Sequence, residues 1–239
     1  MSAWNSFGIS TIGPGHIKNG IPNQDSFAEK HSMLFDCITV SDGVGSCPKS
    51  DIGSAMSCRA VLETISRFAE SNGPIENSTV LDSIKMRFFE MIAPFDAREC
   101  SATCLFAVRW NERIILALLG DGLAAVLMKD GSVHALSDDK TNGFSNLVSA
   151  LSPRVEAENW KLLELPEDDC SSILLCTDGI SDDLSDPEGF VKGFLLNCIT
   201  GTIENNIRTT REMLLNWPVP KHSDDKTIAC MYRVEVENA

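Results

Sequence analysis

The stretch LFDCITVSDGVG, residues 34–45, reads as a β-strand that delivers an acid to a glycine turn. Its apolar, β-prone run from Leu34 ends at Ser41, and Asp42 follows at the strand end. Gly43 lets the backbone turn sharply, so that its own carbonyl can face the same point as the Asp42 carboxylate. An aspartate before a glycine is, taken singly, a common turn. Three more segments bring comparable aspartates to turns: Asn23-Gln24-Asp25, Cys176-Thr177-Asp178-Gly179 and Ser223-Asp224-Asp225-Lys226-Thr227. Carboxylates set at strand ends by distant segments are what hard divalent cations require, because Mg²⁺ and Mn²⁺ prefer several oxygen ligands on rigid elements. The pattern points to a metal-dependent hydrolase.

Outward from that strand, the first forty residues are β-prone, with strands over Phe7 to Ile12, Ser26 to Lys30 and Leu34 to Ser41. Gly13-Pro14-Gly15 and Asn19-Gly20-Ile21-Pro22 interrupt them. From Asp51 the period changes: Cys58, Val61, Leu62, Ile65, Phe68 and Ala69 mark an amphipathic helix, and Leu81, Ile84, Phe88, Met91 and Ile92 a second. Strands return over Ala102 to Trp110, Arg113 to Leu119 and Ala124 to Lys129, with turns at Asn111-Glu112 and Asp130-Gly131. Residues 137–159 read as a polar loop with one short helix near Phe144 to Ser149. Trp160 to Leu165 and Ser172 to Thr177 resume the sheet, helices follow over Glu188 to Cys198 and Thr202 to Asn216, and Lys226 to Val234 closes as a centrally paired strand. Clustered strands and two helix pairs make an α+β fold, two packed sheets with helices outside.

With 239 residues, 43% of them hydrophobic, the chain can bury a substantial core, and residues 1–239 read as one domain. A formal charge of −14, from 34 acids against 20 bases, argues against nucleic acid or an anionic membrane as the main partner. The nine cysteines are odd in number and scattered, with no C-x-x-C pair. Several lie in apolar runs, where thiols behave as small hydrophobes, so the reading is reduced cysteines in a cytoplasmic protein. There is no signal-like start and no apolar stretch of membrane-spanning length.

In order along the chain, Asn23-Gln24-Asp25-Ser26, Ser41-Asp42-Gly43-Val44-Gly45, Gly120-Asp121-Gly122, Thr177-Asp178-Gly179 and Asp224-Asp225-Lys226-Thr227 resemble the metal-dependent protein phosphatases of type 2C, particularly the small bacterial members. The likeness spans about residues 8–234. It implies a four-layer α-β-β-α sandwich of two antiparallel sheets flanked by helix pairs, with a two-metal centre of Mn²⁺ or Mg²⁺ at one edge. By position, Asp42 bridges both metals, the Gly43 carbonyl binds one, and Asp178 and Asp224 bind the other. Asp25 matches an aspartate that holds metal-bound waters, and Asp121 stands where bacterial relatives recruit a third ion. Such a centre lowers the pKa of a bridging water and neutralises phosphoryl charge during in-line attack, without a covalent intermediate. Carboxylates so crowded repel without metal, so Mn²⁺ or Mg²⁺ is expected to raise thermal stability.

This sequence departs from the family pattern at three places. Gln24 replaces a glutamate that contacts metal-bound water, which predicts weaker binding of the second ion. Gly20 stands where relatives place a phosphate-holding arginine, and Lys18 or His16 could substitute as point charge or proton donor. Val44 stands where eukaryotic members carry a histidine. His222 neighbours Asp224, although an oxygen-rich site prefers carboxylate.

The resemblance implies a phosphatase for phosphoserine and phosphothreonine in proteins, paired in bacteria with a Ser/Thr kinase, whose substrate-contacting flap falls within residues 138–159. A pseudophosphatase that binds phosphoproteins and a small-molecule phosphohydrolase are the rivals. Intact Asp42, Asp178 and Asp224 oppose the first, and the lack of a glycine-rich phosphate loop or basic pocket opposes the second.

Overall fold

The computed structural model describes residues 3–71, 76–138 and 150–234. One five-stranded sheet has the order β1 (Ala3–Thr11), β10 (Lys226–Val234), β9 (Cys170–Cys176), β6 (Leu123–Met128), β7 (Val133–Ser137). The other runs β2 (Asp25–His31), β3 (Phe35–Asp42), β4 (Cys104–Trp110), β5 (Arg113–Leu119), β8 (Lys161–Pro166). Every neighbouring pair is antiparallel. The α+β architecture expected from the sequence is the one observed.

The central strands are apolar at nearly every position because both of their faces are covered, and the period of two assigns alternate residues to different layers. In β3 and β4, Ile38, Val40, Leu105 and Ala107 meet Ala124, Val126, Ile173, Leu175, Ala229 and Met231 of the other sheet. Cys37, Phe106 and Val108, one position out of phase, pack under helices α2 (Ser50–Ala69) and α3 (Asn77–Ile92), whose inward stripe is Val61, Ile65, Leu81, Ile84 and Phe88. On the far side, Leu174, Cys176, Ile228, Cys230 and Tyr232 pack against α5 (Pro187–Thr200) and α6 (Ile203–Leu215) through Val191, Leu195, Cys198 and Leu214. Full burial of one such side chain is worth roughly 1.5–3 kcal/mol, so apolar burial is what binds the layers to one another. All nine cysteines are free thiols, and most are buried in these layers.

The Asn111-Glu112 turn joins β4 to β5 with φ of 50° and 60°, the left-handed pair that a two-residue hairpin demands. Three short elements differ from the sequence reading. The Gly13-Pro14-Gly15 breaker opens a helix, α1 (Pro14–Asn19), with proline in its first turn. Residues 178–181 form a one-turn helix, α4 (Asp178–Ser181). Val133–Ser137, between the expected turn at Asp130-Gly131 and the expected loop from residue 137, is the edge strand β7, with residues 134, 135 and 137 exposed. The expected helix near Phe144 to Ser149 and much of the 138–159 flap lie outside the described residues. No helix among the described residues is long and apolar enough to cross a membrane.

Candidate metal centre

At one end of the sandwich, both sheets deliver acids to the gap between them. β3 ends on Asp42, and the antiparallel register sets Asp25, the first residue of β2, directly opposite it. β9 ends at Cys176, and the chain turns at Thr177 so that Asp178 becomes the first residue of α4. Asp121 lies on the Gly120-Asp121-Gly122 turn between β5 and β6. Carboxylate oxygens of Asp42, Asp121 and Asp178 all lie within 4.8 Å of one another.

Hydrogen bonds from the scaffold fix these positions. Thr103 Oγ1 accepts the Asp42 N–H at 2.8 Å, and the Thr103 N–H donates to the Asp42 carbonyl at 2.8 Å. Thr177 Oγ1 donates to Asp25 Oδ2 at 2.8 Å and accepts the Thr227 N–H at 3.1 Å, tying Asp25 to β10. The Gly43 N–H donates to the Gln24 carbonyl at 3.0 Å.

The electrostatics of the cluster follow from its crowding. Burial, then the charges of Asp25 and Asp178, push the Asp42 carboxyl far up, and it shares a hydrogen bond with Asp25. Asp25, 6% exposed, is also raised, chiefly by burial. Burial followed by Asp121 and Asp224 lifts Asp178 to about 7. Acids that resist ionisation in such proximity are relieved by a cation, and a converging, all-oxygen donor set suits a hard divalent ion. The residues present fit Mn²⁺ or Mg²⁺.

The remaining residues singled out in the sequence fall around this group. Asp224 is exposed and lies outside the three-acid group, near enough to raise both Asp42 and Asp178. Its Oδ1 accepts the N–H of Asp225 at 2.9 Å. The His16 ring is held by Asp225, Nδ1 to Oδ2 at 2.8 Å, and Lys18 is exposed on α1. Gly20 caps α1 at φ 66°, in the left-handed region that a β-carbon disfavours, which accounts for glycine where relatives place arginine.

Asp225, which the sequence does not distinguish from its neighbour Asp224, organises the centre. At 2% exposure, its Oδ1 accepts the Gly13 N–H and its Oδ2 the Gln24 N–H, each at 2.6 Å, besides the His16 ring. One buried carboxylate thereby moors α1 and the start of β2 to β10. Gly179 is required beside it, since a β-carbon there would lie 1.9 Å from the Asp225 carbonyl oxygen. The only hint in the sequence was the second acid of an Asp-Asp pair opening an apolar strand.

The sequence matches the protein phosphatase 2C family over residues 12–209, a stretch that contains Asp25, Asp42, Asp121 and Asp178 and stops short of Asp224. No curated protein matches it. Among solved structures, it is similar to a bacterial serine phosphatase (19% identity, 99% of this chain and 100% of that one, TM-score 0.70). It is also similar to the serine/threonine phosphatase Stp1 from Staphylococcus aureus (18%, 98% and 96%, TM-score 0.69). A third similar structure is the catalytic domain of the serine threonine protein phosphatase PstP in complex with two manganese ions (16%, 98% and 100%, TM-score 0.63). At these identities the structural likeness speaks for the fold.

Proposed function

The chain belongs to the protein phosphatase 2C family and is a protein serine/threonine phosphatase by that membership; from this premise we propose that it dephosphorylates proteins with two Mn²⁺ or Mg²⁺ ions held by Asp42, the Gly43 carbonyl, Asp178 and Asp224. The observation that carries the metal assignment is the approach of Asp42, Asp121 and Asp178 oxygens to within 4.8 Å. PstP in complex with two manganese ions supports the same choice of cation.

Divalent ions in that position supply Lewis acidity, lowering the pKa of water and offsetting charge on phosphoryl oxygens. The protein's own groups do the rest. Asp42 is paired in register with Asp25 and converges with Asp121 and Asp178, which suits it to a ligand shared between two ions. Asp25, oriented by Thr177, holds and aims a water through its hydrogen-bonding oxygens. Asp121 is the natural position for a third ion. Because Asp225 occupies His16, Lys18 is the more available of the two α1 groups for a phosphate. We further propose that residues 1–239 act as one domain in the cytoplasm, opposite a Ser/Thr kinase that phosphorylates the same targets.

The test is turnover of a phosphothreonine peptide with Mn²⁺, comparing wild type with Asp42→Asn. Loss of groups that merely support ligands costs about 10- to 100-fold, so loss of the ligand itself is expected to cost more than about a hundredfold. Equal rates for the two proteins would refute the assignment of Asp42.

A further inference from the structure

Beside the acidic group lies a cleft of about 210 Å³ lined by Asp178, Asp183, Lys221, His222, Asp224 and Lys226 among others. Lys226 is the unusual member. It opens β10, yet only 2% of it is exposed. Lysine is almost never so buried unless its ammonium is paired, because desolvating the charge is costly. Here Nζ donates to the Asp224 carbonyl at 3.0 Å and to His222 Nδ1 at 3.1 Å. The ammonium lies 5.9 Å from the centre of the Trp217 ring, and Trp217 Nε1 donates to Asp183 Oδ2 at 2.7 Å.

These contacts converge on the turn that carries Asp224. Residues 221, 223 and 224 are exposed, so apolar packing does not fix the turn, and Lys221 takes φ 66°, a left-handed conformation uncommon for a side chain of that size. Hydrogen bonds fasten the turn instead: the Gly15 N–H donates to the Ser223 carbonyl at 2.9 Å, and the Lys226 ammonium holds the next carbonyl, that of Asp224. We infer that Lys226 is a positioning residue for the metal centre, holding the backbone of Asp224 where its carboxylate can join Asp42 and Asp178 on a cation. The inference rests on the metal-binding role proposed above for Asp224.

Charge and position make opposite demands, which makes the role measurable. Lys226→Met keeps the apolar stem on Trp217 and removes the ammonium. Were Lys226 only a nearby positive charge, its loss would tighten Mn²⁺ binding by the surrounding acids. As a positioning residue, its loss weakens binding by about 10- to 100-fold, the usual effect of removing a group that orients a metal ligand. Calorimetric titration of metal-free wild type and Lys226→Met with Mn²⁺ reads the difference directly, with circular dichroism confirming the fold. Affinity lower by tenfold or more, with turnover of an aryl phosphate recovering at saturating Mn²⁺, is the expected result. Unchanged or tighter binding overturns the inference while leaving the phosphatase assignment standing. If Lys226→Met does not fold, His222→Ala decides: it removes one of the two fastenings of the ammonium, and weaker Mn²⁺ binding supports the role whereas unchanged binding overturns it. Wild type that binds no Mn²⁺ overturns this inference together with the metal-binding reading on which it rests.

Discussion

Asp178 is held in a protonation balance that most surface aspartates never meet, because burial and then the charges of Asp121 and Asp224 carry its pKa from 3.8 to about 7. An acid whose pKa is higher folded than unfolded favours the folded state fully below its unfolded pKa, and that contribution is lost as pH rises through the folded value. Metal-free wild type is therefore expected to lose thermal stability between about pH 4 and 7, and Asp178→Asn to lose less over the same interval. Melting curves in chelator across this range check it; parallel curves for the two proteins would contradict the crowding. Added Mn²⁺ must displace the same protons, so its affinity is expected to rise with pH through this window. Asp42 and Asp178 were legible in the sequence because each follows an apolar run and precedes a glycine. Asp225 and Lys226 were not, since adjacent acids do not reveal which one turns inward, and a lysine heading a strand ordinarily faces water. His16 showed only its nearness to the centre; that its ring bonds Asp225, more than two hundred residues away, is a property of the folded chain.

At the scale of elements, the long helices and central strands announced themselves by period, whereas α1, α4 and β7 did not. α1 spans six residues without an apolar stripe, and what holds it is Asp225 at the head of β10, through the Gly13 N–H and the His16 ring, together with the Gly15 N–H on the Ser223 carbonyl. β7 is a strand because β6 offers it a partner, not because its residues alternate cleanly. Removing the mooring is expected to release the short helix. Asp225→Ala leaves the Gly13 and Gln24 N–H groups without their acceptor, at about 1–3 kcal/mol for each donor stranded in a buried position. Urea unfolding is expected to show that loss, with faster amide exchange over residues 13–24 and little change in α2 and α3. Uniformly faster exchange across the whole chain would mean that Asp225 supports the sandwich generally and not α1 in particular.

For the whole molecule, stability and chemistry are seated in different places. The three cores supply the packing, and the acids gather at one end, where they oppose folding until a cation arrives. A cut deep in the helical layer is therefore expected to cost stability without touching the centre. Phe88 is fully buried between α3 and the sheet, and Phe88→Ala is expected to lower unfolding free energy by about 3–5 kcal/mol while Mn²⁺ affinity of the folded protein stays within about twofold, a change of under ~0.5 kcal/mol. A large loss of affinity in that variant would show the layers to be coupled more tightly than their separate cores suggest. The layered plan was legible because apolar strands and helix pairs alternate in blocks; the order of strands within each sheet was not, since it depends on pairings such as β1 with β10 that join opposite ends of the chain. The most direct test of the metal centre is a crystal structure of the protein grown with Mn²⁺, using the anomalous signal to locate the ions. The prediction is Mn²⁺ about 2 Å from oxygens of both Asp42 and Asp178, the distance that small hard cations take to carboxylates. Manganese absent from that gap, or bound only elsewhere on the acidic surface, would contradict it.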